Sequence, residues 1–118
     1  MTLARILVTG DGPWPVVSLS GEIDLSNVDE LTRDLERSVA NAAHGVVLDI
    51  SEVSYLDSTG LRVVFRLARE LRDRQQRLCL VVPTSSLVRR VLLLAGVDSV
   101  ADVVADTSEV AAVQGKDS

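Results

Sequence analysis

The sequence predicts one α/β domain in which a mixed, mainly parallel β-sheet of four to five strands packs against three to four helices. Three observations point there. Apolar runs near residues 16–20, 46–50 and 78–82 alternate with stretches of helical spacing, the pattern of βαβ units whose right-handed crossovers lay helices on a parallel sheet. The run Val46-Val47-Leu48-Asp49-Ile50 is apolar almost throughout, as in a strand covered on both faces. The chain has 118 residues and is 47% hydrophobic, enough for one domain that buries roughly two-thirds of its extended surface.

Leu3 to Thr9 reads as the first strand, and Gly10-Asp11-Gly12-Pro13 as a turn cluster that hairpins it onto a second strand over Pro15 to Ser20. Trp14, within this turn, is expected either as a half-exposed lid over apolar surface or as a partner anchor. Gly21-Glu22-Ile23-Asp24-Leu25 then leaves the strand. Ser26 is placed to cap a helix over 27–43, with Asp29 completing a capping-box-like pair. Val28, Leu31, Leu35, Val39 and Ala42 recur along its core face, and His44-Gly45 ends it, with His44 as a C-terminal cap.

Val46 to Ile50 is the central strand; a loop follows, with Asp49 bonding loop amides. The next helix spans about Ser58 to Arg74, with Leu61, Val64, Phe65, Ala68 and Leu71 as its core stripe and Arg62, Arg66, Arg69, Glu70 and Asp73 opposite. Arg77 to Val82 is a further strand, halted by Pro83. Thr84 or Ser85 caps a third helix through Ala95, and Gly96 supplies a left-handed stop. Val100 to Ala105 adds an edge strand and Ser108 to Val113 a short last helix. The domain thus spans 1–113, and 114–118 reads as a frayed tail.

Composition excludes several function classes. Aromatic residues are 3% of the chain, so the core is aliphatic. The single Cys79 excludes an internal disulfide and a Cys-rich metal cage; within Leu78-Cys79-Leu80-Val81-Val82 it reads as a small buried hydrophobe. A net charge of −5 argues against nucleic acid as a partner. No apolar run approaches the ~20 residues that cross a bilayer, and no signal peptide is evident, so a cytoplasmic protein without membrane insertion is expected. A receiver-type aspartyl phosphate would need an acidic pair and a later lysine, whereas the only lysine is Lys116. A serine hydrolase would need a base beside its serine, and only His44 exists. With no His/Cys/acidic cluster and no glycine-rich phosphate loop, neither an enzyme, a metal nor a cofactor is indicated.

What remains is Asp57-Ser58-Thr59-Gly60, at the start of a helix. Its plain explanation is structural: Asp57 caps the helix, Ser58 and Thr59 fill the first turn, and Gly60 relieves crowding. Its functional explanation is that a helix N-terminus favours negative charge, so a phosphate there leaves the fold intact while changing the surface. In an open parallel sheet the functional crevice lies beyond the strand C-termini, so Asp24 and Asp57-Ser58-Thr59 are expected to share one patch. Val63 and Leu67 widen the apolar arc of the same helix to about half the wheel, beyond the usual stripe of about 100°. They either pack on the Leu87 to Ala95 helix or form an apolar patch rimmed by Arg66 and Asp24.

From about residue 16 to 105 the chain resembles a STAS domain of the anti-sigma factor antagonist family. Gly21-Glu22-Ile23-Asp24, Val47-Leu48-Asp49, Asp57-Ser58-Thr59-Gly60-Leu61 and the Leu87 to Gly96 helix with its following edge strand carry the resemblance. It implies a bacterial partner-switching regulator that binds an anti-sigma factor, a serine kinase of the GHKL ATPase type, and so frees a sigma factor. In that family the serine after the aspartate accepts phosphate, which falls on Ser58, with Thr59 the adjacent hydroxyl and a serine phosphatase resetting the switch. Asp24 matches the family's acidic loop residue. Arg62 stands where many members have glycine and places a cation within a turn of Ser58. Asp24, Asp57, Ser58, Thr59, Gly60, Arg62, Val63 and Arg66 are the expected partner-binding residues, on a monomer or weak dimer. The alternative is a STAS module docking onto a membrane transporter or another signalling complex.

Overall fold

A computed structural model of the chain describes residues 4–9, 13–40, 42 and 44–115. In order the elements are β1 (Ala4–Thr9), β2 (Val16–Ile23), α1 (Val28–Ala40), β3 (Gly45–Leu56), α2 (Ser58–Asp73), β4 (Arg77–Val81), α3 (Leu87–Leu94), β5 (Asp102–Val104) and α4 (Val110–Gln114), with single 3-10 turns at Val97–Ser99 and Thr107–Glu109. The five strands form one sheet in the order β1-β2-β3-β4-β5. β1 runs antiparallel to β2, and every other pair is parallel. The mixed, mainly parallel sheet expected from the sequence is therefore the one observed. Leu3, the Gly10-Asp11-Gly12 turn and Lys116 lie outside the described residues.

Period-two alternation divides the core between the two sheet faces. Val46, Leu48 and Ile50 of β3, with Leu78 and Leu80 of β4, pack with Leu31 and Leu35 of α1, Val64 and Leu71 of α2, and Val88 and Leu92 of α3. Val47, Cys79 and Val81 face the other way and meet Trp14, Val104, Val110 and Val113. The central strands are thus covered on both faces, which is why their sequence is continuously apolar.

Trp14 is 9% exposed and belongs to this second cluster, which corrects its reading as a half-exposed lid. Gly45 explains the fit: a Cβ there would collide with the Trp14 ring and the Arg77 carbonyl. The absence of a side chain at Gly45 is what lets the indole lie against the strand.

Four further expectations are corrected. β2 continues through Gly21-Glu22-Ile23, because Gly21 adopts φ 93° where the register against β3 shifts, and this bulge keeps the strand paired. β3 likewise runs on to Leu56 instead of ending at Ile50. Past Asp49 its partner is β2 alone, with Ser20 opposite Glu52 and Ile23 opposite Leu56. α1 ends at Ala40, short of His44, whose backbone instead joins Pro13 and Arg77. Carbonyls at and just beyond the end of α1 are taken by side chains from the α2–β4 turn: Arg74 donates to Val39 O at 2.5 Å and Gln76 to Ala42 O at 2.8 Å. Ser86, not Thr84 or Ser85, caps α3, its hydroxyl accepting from the Val88 and Arg89 amides. Gly96 is left-handed as expected, at φ 86°, and α4 extends one residue into the expected tail, to Gln114.

Candidate functional site

The parallel pairing of β2 and β3 brings their C-terminal ends together. Ile23 lies opposite Leu56, and the Asp57 amide donates to Ile23 O at 3.2 Å. The loop carrying Asp24 and the turn carrying Asp57-Ser58-Thr59 are therefore neighbours on one rim, as the topology implied.

Asp57 is the N-cap of α2, with extended backbone angles (φ −91°, ψ −173°). Its Oδ1 accepts from the Thr59 amide at 2.9 Å, the Gly60 amide at 3.1 Å and the Thr59 hydroxyl. Through its own amide's bond to Ile23 O, Asp57 also ties the end of β2 to the start of α2. The donors to its carboxylate, led by the Thr59 hydroxyl and then the Gly60 amide, hold its pKa below the usual carboxylate value.

The two hydroxyls of this turn are therefore unequal. Thr59 is half-buried and its Oγ1 donates to Asp57. Ser58, at the first helical position, is exposed, and among the described residues nothing bonds its hydroxyl. Gly60 is buried, and an added Cβ would lie 2.5 Å from Leu56 Cδ1 and 3.0 Å from Ile23 Cγ2. Glycine here lets α2 start in contact with the ends of both strands, holding Ser58 at the rim.

Asp24 organises the neighbouring loop. Its Oδ1 accepts from the Ser26 amide at 2.9 Å and from the Ser26 hydroxyl at 2.5 Å. This corrects Ser26 as the cap of α1, since its hydroxyl is donating backwards to Asp24. Asn27 closes the loop from the other side: its Oδ1 accepts from the Asp24 amide and its Nδ2 donates to Glu22 O at 2.7 Å. Leu25, between them, is 74% exposed. Asn27 and Leu25 were not singled out from the sequence, although an Asp-x-Ser-Asn loop is a recognisable signal for Asx-type turns. Asp49 does accept from the Ser51 amide, at 3.0 Å, but from within β3 and not at its end.

Val63 and Leu67 do not pack on α3. With Thr32 and Leu35 of α1 they line the seam between α1 and α2, where Leu67 is buried and Val63 half-buried. Leu67 therefore belongs to the core stripe, and the broad apolar arc of α2 has two neighbours, the sheet and α1. Arg66 spans the same seam, pairing with Glu70 at 3.2 Å and Glu36 at 3.5 Å. Val63 and Arg66 lie five and eight residues along α2 from Ser58. Arg62 is exposed, one turn along from Ser58. Among the described residues no group of three or more His, Cys, Asp or Glu side chains could hold a metal ion, and no helix is long and apolar enough to cross a membrane.

The family model described as the STAS domain matches residues 5–111. The chain belongs to the STAS domain family. Among relatives of this STAS domain is BtrV of Bordetella bronchiseptica, which carries the name of an anti-sigma factor antagonist; it is 34% identical over 101 residues, spanning 86% of this chain and 85% of its own. A crystal structure of an anti-sigma factor antagonist from Mycobacterium paratuberculosis superposes with a TM-score of 0.83 at 25% identity, over 94% of this chain and 93% of that one. The same fold occurs in SpoIIAA, a Bacillus cell fate determinant, in its phosphorylated form, with a TM-score of 0.70 at 20% identity over 92% and 99% of the two chains.

Proposed function

We propose that this STAS domain is an anti-sigma factor antagonist: it binds a cognate anti-sigma factor through the rim around Ser58 and so frees a sigma factor. Phosphorylation of Ser58 switches it off. The observation that carries this reading is the inequality of the two hydroxyls, since Thr59 is committed to Asp57 while Ser58 is exposed at the first helical position and unengaged among the described residues. The partner is a serine kinase of the GHKL type, which transfers the γ-phosphoryl group of ATP to Ser58 Oγ and leaves ADP. A serine phosphatase hydrolyses the ester and resets the switch. The protein acts in the cytoplasm by binding, and no residue of it performs catalysis. Asp24, Asp57, Ser58, Thr59 and Arg62 form the docking surface, with Gly60 backing it from beneath. Val63 and Arg66, farther along α2 at its seam with α1, extend this surface.

The physics of the switch follows from the rim. A phosphoserine carries about −1.5 to −2 charges at pH 7. Asp57 already occupies the Thr59 and Gly60 amides, so the offset for the new charge comes from the helix dipole and Arg62. Both act locally, and Ser58 is exposed, so the domain stays folded. A partner that must desolvate the dianion beside Asp24 and Asp57 meets a different balance. A penalty of about 3 kcal/mol there lowers affinity more than a hundredfold.

The test is to incubate the protein with candidate anti-sigma kinases and ATP, locate any phosphate by mass spectrometry, and titrate Ser58→Ala and Ser58→Asp against the same partner. Phosphate on Ser58 and loss of binding by Ser58→Asp, with an unchanged melting temperature, is the expected result. Equal binding by Ser58→Asp and wild type would refute the switch.

A further inference from the structure

Exposed apolar residues concentrate on one helix. Of the large hydrophobics that the fold leaves exposed, Leu87, Val91, Leu93 and Leu94 all belong to α3. Only Val88 and Leu92 of its eight residues are buried. Leu87, Val91 and Leu94 recur at i, i+4 and i+7, so they form one stripe along the helix, and it is not the stripe that carries Val88 and Leu92. Leu87 and Leu94 are 75% and 81% exposed. An open groove of about 500 Å³ runs beside them, bounded by Thr84 and Ser86 at one end and by Leu93 and Leu94 at the other.

The charge around this stripe identifies what would cover it. The chain carries a net −5, yet residues 83–97 contain no Asp or Glu and two arginines. Arg89 is half-buried and donates to Val82 O at 2.7 Å. Arg90 lines the groove, is exposed, and has no acidic partner among the described residues. Among the described residues the exposed Arg62 and Arg69 likewise have no ion pair, while Arg66 is paired with two glutamates; Arg90 is set apart by standing on a helix that carries exposed leucines and no acid. A second copy is a poor occupant: a two-fold contact along the stripe would bring Arg90 against its own equivalent, and a heterologous contact would need a second, complementary surface elsewhere on the molecule.

We infer that the Leu87–Val91–Leu94 stripe of α3 is a docking surface for an amphipathic helix of another protein, one that presents aliphatic side chains at i and i+4 and a carboxylate to Arg90. Helix-in-groove recognition uses this spacing of anchors, with flanking charge setting orientation and partner choice. None of the groove residues is one of the Asp24–Ser58 rim, and the inference does not depend on the phosphorylation switch.

The experiment uses a synthetic amphipathic peptide with leucines at i, i+4 and i+7 flanked by glutamate, and a twin with lysine in place of each glutamate. Binding to the full chain is followed by backbone amide chemical shifts. The expected result is saturable binding of the glutamate peptide with shifts on residues 84–95, weakened at least tenfold by Leu94→Glu and about fivefold for the lysine twin. Arg90→Glu should reverse the preference between the two peptides, which a merely unfolded or generally sticky variant would not do. Absence of saturable binding, shifts centred elsewhere, or an unchanged preference in Arg90→Glu would overturn the proposal. So would a stripe occupied by a second copy, seen as dimerisation abolished by Leu94→Glu, or by a lipid surface, seen as cosedimentation with phosphatidylglycerol vesicles.

Discussion

Gly60→Ala sets two physical effects against each other at the base of the candidate site. In a helix interior alanine is favoured over glycine by about 1 kcal/mol, because glycine loses more backbone freedom on folding. Against this, the new methyl carbon would lie 2.5 Å from Leu56 Cδ1, 3.2 Å from Leu56 Cγ and 3.0 Å from Ile23 Cγ2, where carbon atoms prefer about 3.5–4.0 Å. Leu56 is half-buried and can move its tip, but Ile23 is 2% exposed within the core and cannot. Overpacking of this kind costs about 1–3 kcal/mol, so the net change is a loss of about 1 kcal/mol. Taking about 2.1 cal/mol/K per residue for the unfolding entropy, a chain of 118 residues melts about 4 °C lower. Relief requires α2 to tilt away from β2 and β3, which also displaces Ser58 and weakens partner binding. Differential scanning calorimetry measures the first effect and partner titration the second. A melting temperature raised by several degrees would show that helix propensity wins and that the close approach of α2 to the strand ends is not what selects glycine.

Three other outcomes follow from the same contacts. Trp14→Ala removes the large side chain of the second core cluster and should destabilise the domain by about 3 kcal/mol in urea titration; a change below about 0.5 kcal/mol would return Trp14 to the role of an accessory lid. The Asp57 carboxylate has a depressed pKa in the folded state, so its contribution is present above the unfolded value near 3.8 and is lost as pH falls through that value toward the lower folded one. Acid titration of stability should accordingly be steeper for wild type than for Asp57→Asn across that window, and parallel curves would contradict the capping account. Burial raises the Cys79 thiol to about 11, so it should resist thiol reagents at pH 8 in the native protein and react fully in guanidinium; rapid native labelling would contradict its place in the core.

Much of this protein was decided locally. The alternating apolar runs determined a mainly parallel sheet, because a strand buried on both faces leaves no polar positions to disguise it. Asp57 as the cap of α2 and Gly96 as the stop of α3 were equally legible, since each acts within a few residues of itself. The tertiary structure alone decided how far β2 and β3 run, because Gly21, Ser51 and Ser54 look like loop until each strand supplies the other's backbone partners. It also decided the burial of Trp14, which depends on the missing side chain of Gly45 some 30 residues away. It moved Leu67 into the core and left the α3 stripe bare, since no periodicity states which neighbour will arrive to cover a given face. The inequality of Ser58 and Thr59 was likewise out of reach in the chain itself: both hydroxyls sit in the first turn, and the side-chain direction at each position sends one to the Asp57 carboxylate and the other to solvent.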